Sequence, residues 1–456
     1  MILFPDLLIG RNRLLEIIKW DMNINMTIRS YRLELKLNKS QEILCRKSAG
    51  TSRFVYNWKL KQLNDNYKNA KMYADEHNIK IECELGTFFD WCKELTILKN
   101  DRPWLREVSK CCGQKALKDL SVAYKRFFSK KSGYPKFKKK GQKDSFRLDG
   151  STYISSDYIQ LPLMGRVRLK EKCYPILDGR FKLSQATVSR QADRWFVSFF
   201  IKEDIELPKT ISIENIKDNE ILGIDLGIKE LAITSDGQTF ENPKAYKSKL
   251  NKLKRYQRRV SRKQKGSNNR KKAIKKLAKV HKRISDIRND CVQKLTTSLV
   301  KTKPKMIVIE NLKPKNMSKN HNLASSILDS SFGKIKQTLK YKCEWNGIHL
   351  IEAHPFYASS KFCSICGNKH KELKLSDREW ICKSCGTEHD RDINAAKNLQ
   401  YFGLWMIDKH FDENQTTVSS TGCKACGDER SQFLIEQCSS MKQEFKLQNI
   451  SRLCSV

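Results

Sequence analysis

Cys363, Cys366, Cys382 and Cys385 fall in the spacing C-x2-C-x15-C-x2-C, and nothing else in the sequence restricts the fold as tightly. Each C-x2-C pair is a tight turn presenting two thiolates, and two such turns facing each other complete a tetrahedral zinc site. Gly367 and Gly386 follow the two pairs, where such turns prefer glycine. Four protein ligands leave no position for water, so the one zinc ion expected here is structural rather than catalytic. A third pair, Cys423 and Cys426, has no partner pair at a comparable distance and lies in a polar tail, so it is assigned no metal. The other cysteines, of sixteen in all, scatter along 456 residues, which fits a reducing cytosol better than a disulfide scaffold.

Three acids stand where an acid does nothing for packing. Asp225 closes the apolar run of ILGID, Glu310 closes that of MIVIE, and Asp392 lies in HDRDINAAKN at the start of an expected helix. Such residues can converge at one sheet edge and hold two divalent cations through hard carboxylate oxygens. Taken singly, each has a plainer reading. A strand-end Asp is commonly a turn or cap residue, and Asp390 or Asp392 could cap the last helix. The order along the chain, with a basic arm between the first two acids and the cysteine insert before the third, favours a shared site.

The charge points to the partner. Lys plus Arg is 89 and Asp plus Glu is 50, a formal net charge of +39. Folding does not require that excess, and a polyanion relieves the self-repulsion. Nucleic acid is the obvious candidate, since basic side chains release counterions on meeting phosphates. No window approaches the ~18 apolar residues needed to span a bilayer, and MILFPDLLIGR has neither the length nor the cleavage site of a signal peptide.

The periodicities order the chain. Residues 1–25 read as an N-terminal extension, consistent with a misassigned start. TIRSYRLELKLNKSQ alternates as a strand, and 39–128 is helical, with aromatics (Phe54, Tyr56, Trp58, Phe88, Phe89, Trp91, Trp104) that are mostly core. GYPKFKKKGQKDSFRL breaks the helix, and short strands follow at 158–161, 165–169, 181–189 and 195–201, as in a small barrel or sandwich. Residues 221–225 and 231–234 read as a hairpin. Residues 244–282 read as two basic helices joined at KQKGSNNRKK, with a further helix through Leu295 and Leu299. Strands are expected at 306–309 and 349–353, helices at 332–345 and 394–402, and a disordered tail beyond about 410.

GIDLGIKELAITSDG, IVIENLKPKNM and CSICG…WICKSCGTEHDRDINAAKNL resemble the signature blocks of the TnpB/OrfB proteins of insertion-sequence transposons, which are related to compact type V CRISPR effectors. RFVYNW, WLREV and GYPKFKKK extend the resemblance forward, over roughly residues 26–402. It implies a multidomain α+β protein. An RNase H-like (RuvC) α/β nuclease domain (220–358 and 387–405) would carry a zinc-binding insert (359–386). A wedge β-barrel (26–40 and 129–205) would carry a helical recognition insert (41–128). A linker (206–219) and a polar tail (406–456) complete the division.

The resemblance also implies the activity: RNA-guided DNA endonuclease, with Asp225, Glu310 and Asp392 as the catalytic acids holding two magnesium ions, for which manganese could substitute. Asp392, the second acid of DRD, is favoured over Asp390. Arg391 is as readily a surface residue as a phosphate contact, and His389 reads as a core or capping histidine. Guide RNA from the transposon end and double-stranded target DNA are the implied partners, in the cytoplasm and at the nucleoid of a bacterium or archaeon. Lys252, Arg255, Arg258, Arg259, Arg262, Lys271 and Lys275 would grip phosphates by charge. Lys136, Tyr56 and Thr87 are expected near the target-adjacent motif, and Lys138 is expected to contact nucleic acid. A strand-transferring transposase, an RNA-guided repressor that does not cut, and a generic zinc-containing regulator are the rivals.

Overall fold

The computed structural model describes residues 27–80, 85–173, 181–203, 207–354, 357–374 and 377–415. The expected N-terminal extension, Cys423, Cys426 and the tail beyond Gln415 lie outside them. The chain forms two compact units, divided between Glu206 and Leu207.

The first unit is a barrel with a helical insert. Strand β1 (Thr27–Lys36) leads into three helices, α1 (Lys39–His77), α2 (Phe88–Asp101) and α3 (Lys110–Phe128). Strands β2 (Ser145–Ile154), β3 (Tyr158–Leu161), β4 (Gly165–Leu169), β5 (Phe181–Gln191) and β6 (Arg194–Glu203) follow. The six strands close in the order β1-β4-β3-β2-β5-β6. Alternation fixes the register: Leu35, Phe146, Leu148, Val167, Leu183, Val188, Val197 and Phe199 point into one apolar core. The helices pack around Val55, Leu60, Leu63, Trp91, Leu95, Leu117 and Leu120. Thr87 and Asp90 form a capping box on α2.

The second unit is a five-stranded sheet covered by helices. Its elements are β7 (Ile221–Asp225), β8 (Glu230–Thr234), β9 (Thr239–Glu241), the basic helices α4 (Ala245–Ser261) and α5 (Asn268–Lys301), and β10 (Met306–Ile309). Helices α6 (Pro314–Met317), α7 (His321–Ser330) and α8 (Phe332–Asn346) follow, then β11 (His349–Glu352), the hairpin β12 (Glu379–Ile381) and β13 (Glu388–Asp390), and α9 (Arg391–Gln415). The strand order is β11-β10-β7-β8-β9. β10 runs parallel to both β7 and β11, while β7–β8 and β8–β9 are antiparallel.

Central strands covered on both faces read as unbroken apolar runs. On one face Ile224, Ile307 and Ile309 pack with Leu295 and Leu299 of α5 and Ile335 and Leu339 of α8. On the other, Ile221, Met306 and Val308 pack with Leu399 and Phe402 of α9. Contact between α9 and β7 is so close that a Cβ on Gly223 would lie 2.0 Å from the Ala396 carbonyl oxygen. That is why the GID motif needs its glycine.

Two expectations change. The second basic helix and the helix through Leu295 and Leu299 are one, α5, because no Gly or Pro interrupts an apolar spacing that runs from Val280 through Ile284 and Val292 to Leu299. The tail expected to begin at 406 is helical to Gln415, and buried Ile407 packs in the same cluster as Phe402.

Candidate active site

Register brings the first two acids together. Ile224 of β7 pairs with Ile309 of β10, so Asp225 and Glu310 are the next residues at the C-terminal ends of adjacent parallel strands. Ligand sites of open α/β sheets lie in the crevice beyond those ends. Asp392 reaches the same place from the first turn of α9. The Asp225 carboxyl is pushed well above the usual carboxylate range by burial first, then by the charges of Glu310 and Asp392, against a smaller opposing pull from Arg391 and Arg378. Glu310 is also raised by burial, opposed by a hydrogen bond from Ser359 and by Arg391.

The DRD motif divides its labour. The Asp390 carboxylate accepts from the backbone amides of Asp392 and Ile393, both at 2.9 Å, and so caps α9. Asp392 is left to face Asp225, with both its oxygens on Arg378 Nη1 at 3.1 and 2.8 Å. The acids are neighbours rather than a closed cage. Among the described residues, only the four cysteines bring three or more metal-ligand atoms within 4.8 Å of one another. Half-buried carboxylates whose charges bear on one another nonetheless form a hard-oxygen donor set of the kind that takes magnesium, which binds through one or two carboxylates plus substrate phosphate.

The cysteine cluster is built locally. Gly367 N donates to Cys363 O and Gly386 N to Cys382 O, closing two equivalent turns at 2.9 and 2.8 Å. Cys363 and Cys385 sulfurs lie 3.7 Å apart, and Cys366 and Cys382 sulfurs 3.5 Å. A tetrahedron with Zn–S near 2.3 Å has edges of about 3.8 Å, so the thiols fit zinc. Burial pushes the Cys363 thiol up to about 12, while hydrogen bonding by Thr387 brings exposed Cys385 down to about 6. A metal bound by all four would hold each as thiolate.

Two supporting residues, Ser359 and Arg378, left no signal in the sequence, and His389, read there as a core or capping histidine, is buried. His389 Nε2 lies 3.0 Å from Cys363 Sγ, and its ring packs on Trp380. Ser359 and Arg378 are single polar residues in polar segments. Asn394 and Asn398 could have been noticed, since their four-residue spacing puts two amides on one face of α9.

The expected nucleic-acid contacts divide. Lys252, Arg255, Arg258, Arg259 and Arg262, on α4 and just beyond it, are exposed, as are Lys271 and Lys275 of α5. A groove of about 570 Å³ between the two helices is lined by Lys252, Lys275, Lys276, Lys279, Arg283 and half-buried Tyr256. Lys136 is exposed as well. Tyr56 does not fit its expected role: it is 5 % exposed and packed in the helical core, where no base could stack on it. The Lys138 ammonium covers its ring at 4.0 Å and faces Asp119 at 3.9 Å, so Lys138 is half-buried in local packing. Thr87 caps α2 with its hydroxyl.

A barrel unit followed by an α/β unit with a half-buried acid cluster and a four-cysteine knuckle places the chain in a class of multidomain proteins of mixed α/β fold. Residues 204–321 match a family model described as a probable transposase (OrfB of IS605), and residues 332–399 match the Cas12f1-like TNB domain. Residues 26–72 match the OrfB helix-turn-helix domain, although that span here is one strand and one uninterrupted helix. A Streptomyces pristinaespiralis protein, provisionally named an RNA-guided DNA endonuclease, is 35 % identical over 78 % of this chain and 84 % of its own length. InsQ of Escherichia coli (strain K12), provisionally named likewise, is 32 % identical over 82 % and 91 %. The Cas12f1 endodeoxyribonuclease of Sulfoacidibacillus thermotolerans is 24 % identical over 49 % and 54 %. The chain belongs to the TnpB/OrfB family.

Proposed function

We propose that this protein is a transposon-encoded, RNA-guided DNA endonuclease that hydrolyses phosphodiesters at Asp225, Glu310 and Asp392, within an RNase H-like (RuvC) unit. One observation carries the reading: Asp225 and Glu310 end adjacent parallel strands, and the charge of Asp392 bears on the Asp225 carboxyl. The names of the relatives point the same way. Asp225, Glu310 and Asp392 would together hold two magnesium ions. Bound there, the ions would supply activation of water and stabilisation of the leaving oxygen.

The chain's own residues do the rest. Gly223 lets α9 approach β7 and brings Asp392 to the acids. Arg378 and Arg391 put positive charge beside them, where a substrate phosphate would arrive. The exposed cations of α4 and α5 hold phosphates without reading sequence, which is left to pairing between a guide RNA and one strand of duplex DNA. One zinc ion holds the insert together. The setting is the cytoplasm; no helix among the described residues is long and apolar enough to cross a membrane.

The family model's description keeps strand transfer in view as a second reading, since similar acids serve that chemistry. The test is to purify the protein with its bound RNA, sequence that RNA, and offer duplex DNA matching its variable end. The proposal expects magnesium-dependent cutting only when RNA is present. Joining of DNA ends without RNA would favour the second reading.

A further inference from the structure

Ser359 begins a short turn (Ser359–Lys361) at the start of the cysteine insert, after β11, and it is buried. Its hydroxyl donates to Glu310 Oε1 at 2.5 Å, the length of a charge-assisted O–H···O bond. A hydroxyl aims only as well as its backbone is held, and here helix α9 holds it. The side chain of Asn398, fully buried, donates Nδ2 to the carbonyls of Ser359 and Phe362, both at 2.7 Å. One turn earlier, Asn394 donates to the Phe362 carbonyl at 2.7 Å and accepts from the Ser364 amide at 2.9 Å. The helix that carries Asp392 thus also clamps the segment that carries Ser359 and leads into Cys363.

We infer that Ser359, clamped by Asn398, is a positioning residue that orients Glu310 toward its metal ion, so that the root of the zinc insert also sets the geometry of the acid centre. This rests on the reading of Glu310 as a metal ligand. Without the hydroxyl, the carboxylate loses the bond that fixes which oxygen faces the cluster. Residues that hold a ligand in this way are commonly worth about 10–100-fold in metal affinity or activity.

The test uses the full-length protein with its co-purified RNA. Manganese binding is titrated by electron paramagnetic resonance, and the metal concentration giving half-maximal cleavage is measured alongside. Ser359→Ala is expected to weaken manganese binding about tenfold or more, with zinc content and bound RNA unchanged, while Ser359→Thr, which keeps the hydroxyl, stays within about threefold of the parent. Should Ser359→Ala fold poorly, as lost RNA would reveal, Ser359→Cys replaces it; that variant keeps the size but donates weakly and should fall between the other two. Parent-like manganese binding by Ser359→Ala overturns the inference, and so does equal loss in the Ala and Thr variants accompanied by loss of zinc. Parent-like binding by Glu310→Ala would instead overturn the reading of the acid centre itself.

Discussion

The two ligand clusters of the second unit are assembled in opposite ways. The four cysteines come from two short turns on either side of a small insert, and hydrogen bonds within each turn fix their geometry. The three acids come from β7, β10 and α9, across a stretch of chain running from residue 225 to residue 392, and only sheet register and one helix crossing bring them together. Soft thiolates in a local frame suit a closed structural ion. Half-buried, mutually repelling carboxylates in a long-range frame suit ions that arrive with substrate. A local site of this kind is expected to depend on its metal to stay folded, and a site built by sheet register is expected to keep its fold without one.

That contrast can be broken most forcefully at the cysteines. Cys363→Ser should reduce zinc from one ion per chain toward none by elemental analysis and melt the insert, since structural zinc contributes on the order of 10 kcal/mol to such a knuckle. Retained zinc would contradict the local account. Next comes the crossing that builds the acid site. Gly223→Ala puts a methyl against the Ala396 backbone and should cost about 3 kcal/mol, lowering Tm by roughly 6–12 °C in a scanning melt.

A smaller effect sharpens the electrostatic side. The Asp225 carboxyl is raised in the folded state, so its contribution to stability is full at acid pH and is lost as pH rises through the raised value. Asp225→Asn should therefore melt a few degrees higher than the parent in chelator at pH 7.5, with the gap closing toward pH 4. A lower melting temperature for the variant at pH 7.5 would remove the case for repulsion. Smallest of all, Lys275→Ala on the exposed face of α5 should weaken RNA binding slightly and lower the salt slope of affinity by about one.

Local patterns made much of this molecule readable. The C-x2-C pairs, the apolar runs of β7 and β10 and the alternation of the barrel strands each announce themselves within a few residues. The family motifs then joined acids that spacing alone could not join. What could not be read depends on tertiary neighbours. Tyr56 is an aromatic among cations, and the sequence does not say that it packs into the helical core with Lys138 over its ring. Asp390 and Asp392 are chemically alike, and only the direction of α9 decides which one caps the helix. Ser359, Arg378 and His389 act through contacts with residues outside their own segments and belong to no periodic pattern.

The central claim is that Asp225, Glu310 and Asp392 cut DNA together under RNA guidance. The most direct measurement is duplex cleavage by Asp225→Ala purified with its RNA. The account predicts that RNA is retained at the parent's stoichiometry while the cleavage rate falls by roughly a thousandfold or more. Cutting at the parent's rate by that variant would contradict it.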